Sequence, residues 1–169
     1  MNQLSVFRIL TYILLPIAAF LGVMSLIALL LALANPAIVL PVLLLAALVT
    51  YIIACFVFLL KNVDTGKAPS IKLQSLLRFT SIISISFAGL WLMSTLQFLT
   101  TSYPKKIQIV NEFLKMQPNM PGLNIDDFLN IMNAVSWGML IFSVILIIQI
   151  ILYFQLIKLF RNNPENSEN

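Results

Sequence analysis

Few side chains in this sequence could do chemistry, and their spacing narrows the choice further. Asp126 and Asp127 are adjacent. On a helix successive residues point about 100° apart, so the two carboxylates do not face each other as a general acid/base pair would. With Asn124 just before them they read as a helix start, a capping side chain followed by acids in the first turn, where the helix dipole favours negative charge. Gly66-Lys67-Ala68 lacks the rest of a phosphate-binding loop and follows no strand, so it reads as a turn. Met116, Met120 and Met132 are soft ligands of the type copper accepts. No cysteine or histidine stands beside them to complete a set, and they read as interface packing. There is no histidine and one cysteine, Cys55. Histidine-based triads, the usual zinc and haem ligand sets and an internal disulfide are therefore excluded within the chain. No catalytic, metal or cofactor site is expected, and Cys55 reads as a small packing residue.

Composition says where such residues must sit. Of 169 residues, 60% are hydrophobic and 9% charged, whereas a soluble domain carries roughly 25% charged residues. So little polar surface cannot coat a globule in water, and the apolar residues come in long blocks, which implies an integral membrane protein. The net charge of +4 comes without a basic stripe or interleaved aromatic motif, so nucleic acid is not an expected partner. Around apolar spans, basic residues act instead as topology signals and contacts to anionic lipid. The lipid bilayer is the expected partner.

The blocks give four spans, at about 9–34, 37–60, 79–99 and 135–157, with an outer loop over 101–134 and a polar tail over 158–169. The expected fold is all-α: a single transmembrane domain, a four-helix transmembrane bundle of two helical hairpins. The first span has 26 uncharged residues from Ile9 to Ala34. It is too long for the h-region of a signal peptide, about 7–15 residues, although it ends Ala32-Leu33-Ala34, and a retained span is expected. Pro16 within it should kink the helix or lie near its cytoplasmic end. Asn35-Pro36 marks a tight turn, and Pro41 suits the first turn of the second span. Ile71 to Leu77 is amphipathic and suits the membrane surface ahead of span three. Trp137 and Tyr153 suit the two interfaces.

None of the four spans has a charged residue in its interior, which weighs against a proton relay or an ion pathway within one chain. The polar groups that remain are uncharged. Ser81, Ser84, Ala88, Trp91 and Thr95 recur at intervals of three and four along one face of span three, the pattern of a small-residue helix contact or a polar path. Gln97 and Gln155 lie nearer the ends of their spans, whereas Gln149 lies deep in span four, where its amide should meet a partner helix. In the outer loop, Lys105 to Gln117 forms an amphipathic helix, broken by Pro118 to Gly122. It places Ile107, Val110, Phe113 and Leu114 on one face as a candidate outer contact.

The second-to-third span junction concentrates positive charge: Lys61, Lys67, Lys72 and Arg78. With the N-terminus inside, the cytoplasmic side receives these four with Arg8, Lys158 and Arg161, seven in all, against Lys105, Lys106 and Lys115 outside. The positive-inside rule then gives both termini cytoplasmic, with the junction as topology anchor. The pattern Leu60-Lys61-Asn62, Gly66-Lys67 and Pro69, followed by Leu76-Leu77-Arg78, resembles small bacterial four-span inner-membrane proteins with a Gly-Lys-Pro-Phe-like turn. Ser70 stands here where the aromatic is expected. The resemblance covers about twenty residues plus the span order; it implies a bacterial inner-membrane location and assigns no activity. The leading expectation is a non-enzymatic accessory or interaction subunit, as a homo-oligomer or with a membrane partner protein. The alternative is a small oligomeric transporter or channel for an uncharged or small solute.

Overall fold

The computed structural model describes residues 3–116 and 124–162. It is all-helical among these residues, with α1 Gln3–Ala34, α2 Val39–Phe58, α3 Ile71–Thr100, α4 Tyr103–Met116 and α5 Ile125–Asn162. Four of these helices are long and apolar enough to cross a membrane, and α4 is not. The spans are arranged as helical hairpins. The Pro118–Gly122 break lies outside the described residues.

Two compact units divide the chain. One comprises Met1–Phe87 with Ile145–Asn169; the other is Ala88–Val144. In the first, α1 buries Phe7, Thr11, Leu14, Ala18, Ser25 and Ala32, a stripe recurring at three, four and seven residues. That 3.5-residue period is the seam of left-handed helix pairing, and it faces α2 here. The hairpin closes tightly because Asn35 accepts a hydrogen bond from the Ala37 amide at 3.1 Å and Pro36 opens a 3₁₀ turn over Pro36–Ile38. Pro41 falls in the first turn of α2, where its missing N–H is no loss. Helix α1 runs unbroken through Pro16.

An aromatic cluster fills the junction end of this unit. Phe58 meets Phe7 edge-on at 6.1 Å and Tyr153 at 5.7 Å, and Tyr153 meets Tyr51 at 6.5 Å. Such edge-to-face pairs contribute about 0.5–1.5 kcal/mol each beyond burial. Tyr153 therefore departs from the interfacial role expected of it: at 1% exposure it is core. Cys55 is fully buried one turn along from Tyr51, whose hydroxyl is buried without a hydrogen-bond partner among the described residues.

The junction itself is built rather than slack. A π turn over Leu59–Val63 ends α2, with the Asp64 amide reaching the Leu59 carbonyl at 2.9 Å. Asn62 donates to the Lys67 carbonyl at 3.1 Å, and Gln74 donates to the Pro69 carbonyl at 2.9 Å. Ser70, which stands in the aromatic's place, accepts from the Leu73 amide at 3.3 Å and so caps α3. Because of that cap α3 starts at Ile71 and carries the 71–77 stretch as its first turns, not as a separate surface segment. Arg8 pairs with Asp64, which ties the start of α1 to this junction. The pair is solvent-exposed and contributes little energy.

In the second unit, Trp91 of α3 lies 6.1 Å from Phe142 of α5, ring to ring. Asn124 caps α5 as its position predicts, accepting from the Asp126 amide at 3.4 Å.

Gly66 turns the chain at φ 70°, a left-handed conformation that costs a non-glycine residue about 1–2 kcal/mol. Gly66→Ala should lower unfolding stability in detergent by about 1 kcal/mol. Gly89→Ala, where a methyl group meets open space within a helix, should leave stability unchanged or slightly raised. Equal loss at both positions would refute the backbone explanation.

Candidate functional site

The deepest polar feature of the first unit joins the first and last spans. Gln149 on α5 is fully buried, and its amide donates to the Thr11 hydroxyl on α1 at 3.0 Å. Thr11 in turn donates to the Phe7 carbonyl at 2.8 Å, so one chain of hydrogen bonds runs from the α5 amide into the α1 backbone. A primary amide in hydrocarbon needs such a partner, and here the Thr11 hydroxyl accepts from it. Its carbonyl oxygen is buried without a hydrogen-bond partner.

The serine face of α3 is turned inward. Ser81 and Ser84, in the first unit, are fully buried, and so is Ala88 in the second; Thr95 is buried and Trp91 half-buried. The hydroxyls do not bridge helices. Ser81 donates to the Arg78 carbonyl at 2.9 Å, and Thr95 donates to the Trp91 carbonyl at 2.8 Å. A hydroxyl three or four residues beyond a carbonyl satisfies itself locally, which leaves a short smooth side chain for packing. Ser84 is the exception, buried with no partner for its hydroxyl. Gln97 is exposed near the end of α3, as is Gln155 on α5.

The amphipathic helix α4 is held by polar ties to α3 and α5 within the second unit. Lys106 donates to the Leu99 carbonyl at 3.4 Å and to Asn133 at 3.1 Å, and it stands 5.0 Å over the Phe98 ring. A cation on the last carbonyls of α3 suits that helix's negative end. Tyr103 donates to the Asp126 carboxylate at 2.8 Å. The hydrogen bond to that carboxylate, and then its charge, push the phenol's pKa above its ordinary value. Of the four apolar positions on α4, Val110 is fully buried, Ile107 and Leu114 are half-buried, and Phe113 stacks on Phe128 at 5.6 Å while remaining 42% exposed. The apolar surface of α4 open to a partner is thus Phe113 with Ile109.

Lys61, Lys67, Lys72 and Arg78 are all exposed. Asp64 is engaged by Arg8, Asp126 by Tyr103, and Glu112 accepts from Gln108 at 3.2 Å. No cluster of three or more His, Cys, Asp or Glu occurs among the described residues. Met132 is half-buried; Met120 and the Met116 side chain lie outside what is described.

Three participants escape a reading of the sequence. Thr11 looks like any span threonine, although its place on the α1 heptad stripe is a usable signal. Ser136 and Ser143 are buried seven residues apart on α5, in line with Leu129 and Ile150. That interval was available in the sequence and marks a small-residue contact face. No family model, curated protein or solved structure matches the chain.

The Thr11–Gln149 bond should be measurable by a double-mutant cycle. Thr11→Val, Gln149→Leu and the double variant, compared by unfolding in micelles, should give a coupling of about 0.6–1.7 kcal/mol, the range for hydrogen bonds between membrane helices. A coupling of zero would show that the contact carries no stability.

Proposed function

We propose that the protein is a non-enzymatic accessory or interaction subunit of the bacterial inner membrane, with both termini cytoplasmic, working through helix and outer-loop contacts with a second copy or a membrane partner. The observation that carries this reading is uneven burial among the spans. In its most apolar stretch α1 is 17% buried and α3 is 17% buried, against 50% for α2 and 39% for α5. Leu30 on α1 and Met93 on α3 point outward at 69% and 74% exposure. Two helices thus spend most of their surface on whatever surrounds them. Lipid tails solvate such surface, and association between spans needs only close packing on top of that. On α4, Phe113 and Ile109 add an apolar patch outside the spans.

The sidedness rests on the basic-residue count. Arg8, the junction and the end of α5, which carry the seven cations counted for the inside, all belong to the first unit. A reporter fused after Gly122 should read as periplasmic and one after Asn169 as cytoplasmic; the reverse pair would invert the orientation.

Single cysteines at Leu30, Met93 and Ile109, each introduced into a Cys55→Ala chain, test the interaction itself. In native membranes at least one should form a crosslink to a second copy or another chain. Leu146→Cys, at a fully buried position, should form none. Monomer alone at all three outward positions would overturn the proposal.

A further inference from the structure

A pocket of about 400 Å³ opens at the junction end of the first unit, between the Ala68-Pro69 loop, α3 and α5. That volume is within the roughly 300–1,000 Å³ of small-molecule sites. Its polar wall is Gln74, Arg78 and Lys158; its apolar wall is Tyr153, Phe154 and Ile157. Among the described residues no acidic side chain lines it. The ion pair in this unit joins Arg8 to Asp64, and among the described residues neither pocket cation is paired with a carboxylate.

The position of the two cations along their helices is as informative as their charge. Arg78 is the last residue before the apolar stretch 79–99, and Lys158 is the first after 135–157. Both therefore stand at the boundary between hydrocarbon and headgroups, the depth at which lipid phosphates lie. Phe154 is partly exposed beside them and Ile157 half-buried, one turn deeper or level on the same helix. Two cations at the headgroup level above an apolar wall, with no acid beside them among the described residues, complement an anion that carries a hydrocarbon tail. Basic pockets between membrane helices capture anionic headgroups on these terms. Gln74 is already fixed by its bond to the Pro69 carbonyl, so that wall is in place before a ligand arrives.

We infer that this pocket is a binding site for one anionic phospholipid, its phosphate held by Arg78 and Lys158 and its glycerol and upper acyl chain against Phe154 and Ile157. The inference is independent of whether the protein acts as an interaction subunit.

The full chain, reconstituted in an equimolar mixture of phosphatidylcholine and phosphatidylglycerol and released into native mass spectrometry, provides the test. Phosphatidylglycerol should be retained in preference to phosphatidylcholine. Arg78→Gln with Lys158→Gln should reduce that preference roughly thirtyfold, the effect of two basic residues at a membrane surface. Lys61→Gln with Lys67→Gln, which removes the same charge outside the pocket, should leave it unchanged. Arg78→Lys with Lys158→Arg, which keeps both charges, should preserve it and guards against misfolding as the cause. On the unaltered chain, a photoactivatable phosphatidylglycerol should label the peptides spanning 68–78 and 154–158. Undiminished retention in the glutamine pair, equal loss in the Lys61/Lys67 pair, displacement of the lipid by millimolar inorganic phosphate, or labelling elsewhere would each overturn the site.

Discussion

Hydrocarbon offers no hydrogen-bond partner, and that constraint decides how this chain spends each polar group it carries into the membrane. Backbone groups are settled by helix formation. Most side chains follow one of two routes, with the Ser84 and Ser143 hydroxyls buried outside both. Most hydroxyls, including those of Thr80, Ser81, Ser86 and Thr95, turn back to a carbonyl one turn earlier on their own helix. Gln149 cannot close such a loop with all of its amide, and it reaches across to Thr11 instead. The first route makes surfaces that are small and smooth; the second makes a tie between named helices. Span charges are absent from both, so helix contacts here are made of shape with a single deep amide as their directional element.

The ends of the spans obey different chemistry, because water and headgroups can solvate what the interior cannot. Around the junction the chain affords a π turn, a left-handed glycine, an asparagine bridging to a carbonyl and a serine cap within a dozen residues. Beneath them the Phe7, Phe58, Tyr153 and Tyr51 rings lock edge to face. The second unit uses a comparable device at the end of α3, where the Lys106 ammonium lies on the last carbonyls and over Phe98. In each place a loop is fixed by satisfying backbone groups that a helix end leaves open.

The number of spans, the Asn35 turn, the Asn124 cap and the amphipathic helix in the loop were all legible, because each is written in local composition or spacing. The inward face of α3 was legible too, since serines three and four apart stand out against leucine and isoleucine. Contacts between distant segments were not. In water a buried helix face is marked by being apolar, but a span is apolar all round, so periodicity gives no sign of which face meets protein. That is why Tyr153 reads as an interface residue and proves to be core. The Ser70 cap is a different kind of miss. A serine directly ahead of a helix is a strong local signal, here obscured by comparison with an aromatic expected in its place.

The four-residue turn between α1 and α2 bears on how the protein is made. Nothing in Asn35 to Ile38 is charged, so no hydrophilic segment separates the two helices as they emerge from the ribosome, and they can enter the bilayer as a pair. Gln149 is synthesised 138 residues after Thr11. During that interval the Thr11 hydroxyl already has the Phe7 carbonyl, and it waits in lipid without an open donor. When α5 arrives, the same oxygen still has a lone pair to offer. The hairpin is thus stable company for the membrane during translation and a prepared acceptor at its end, which makes entry of the last helix the step that completes the first unit.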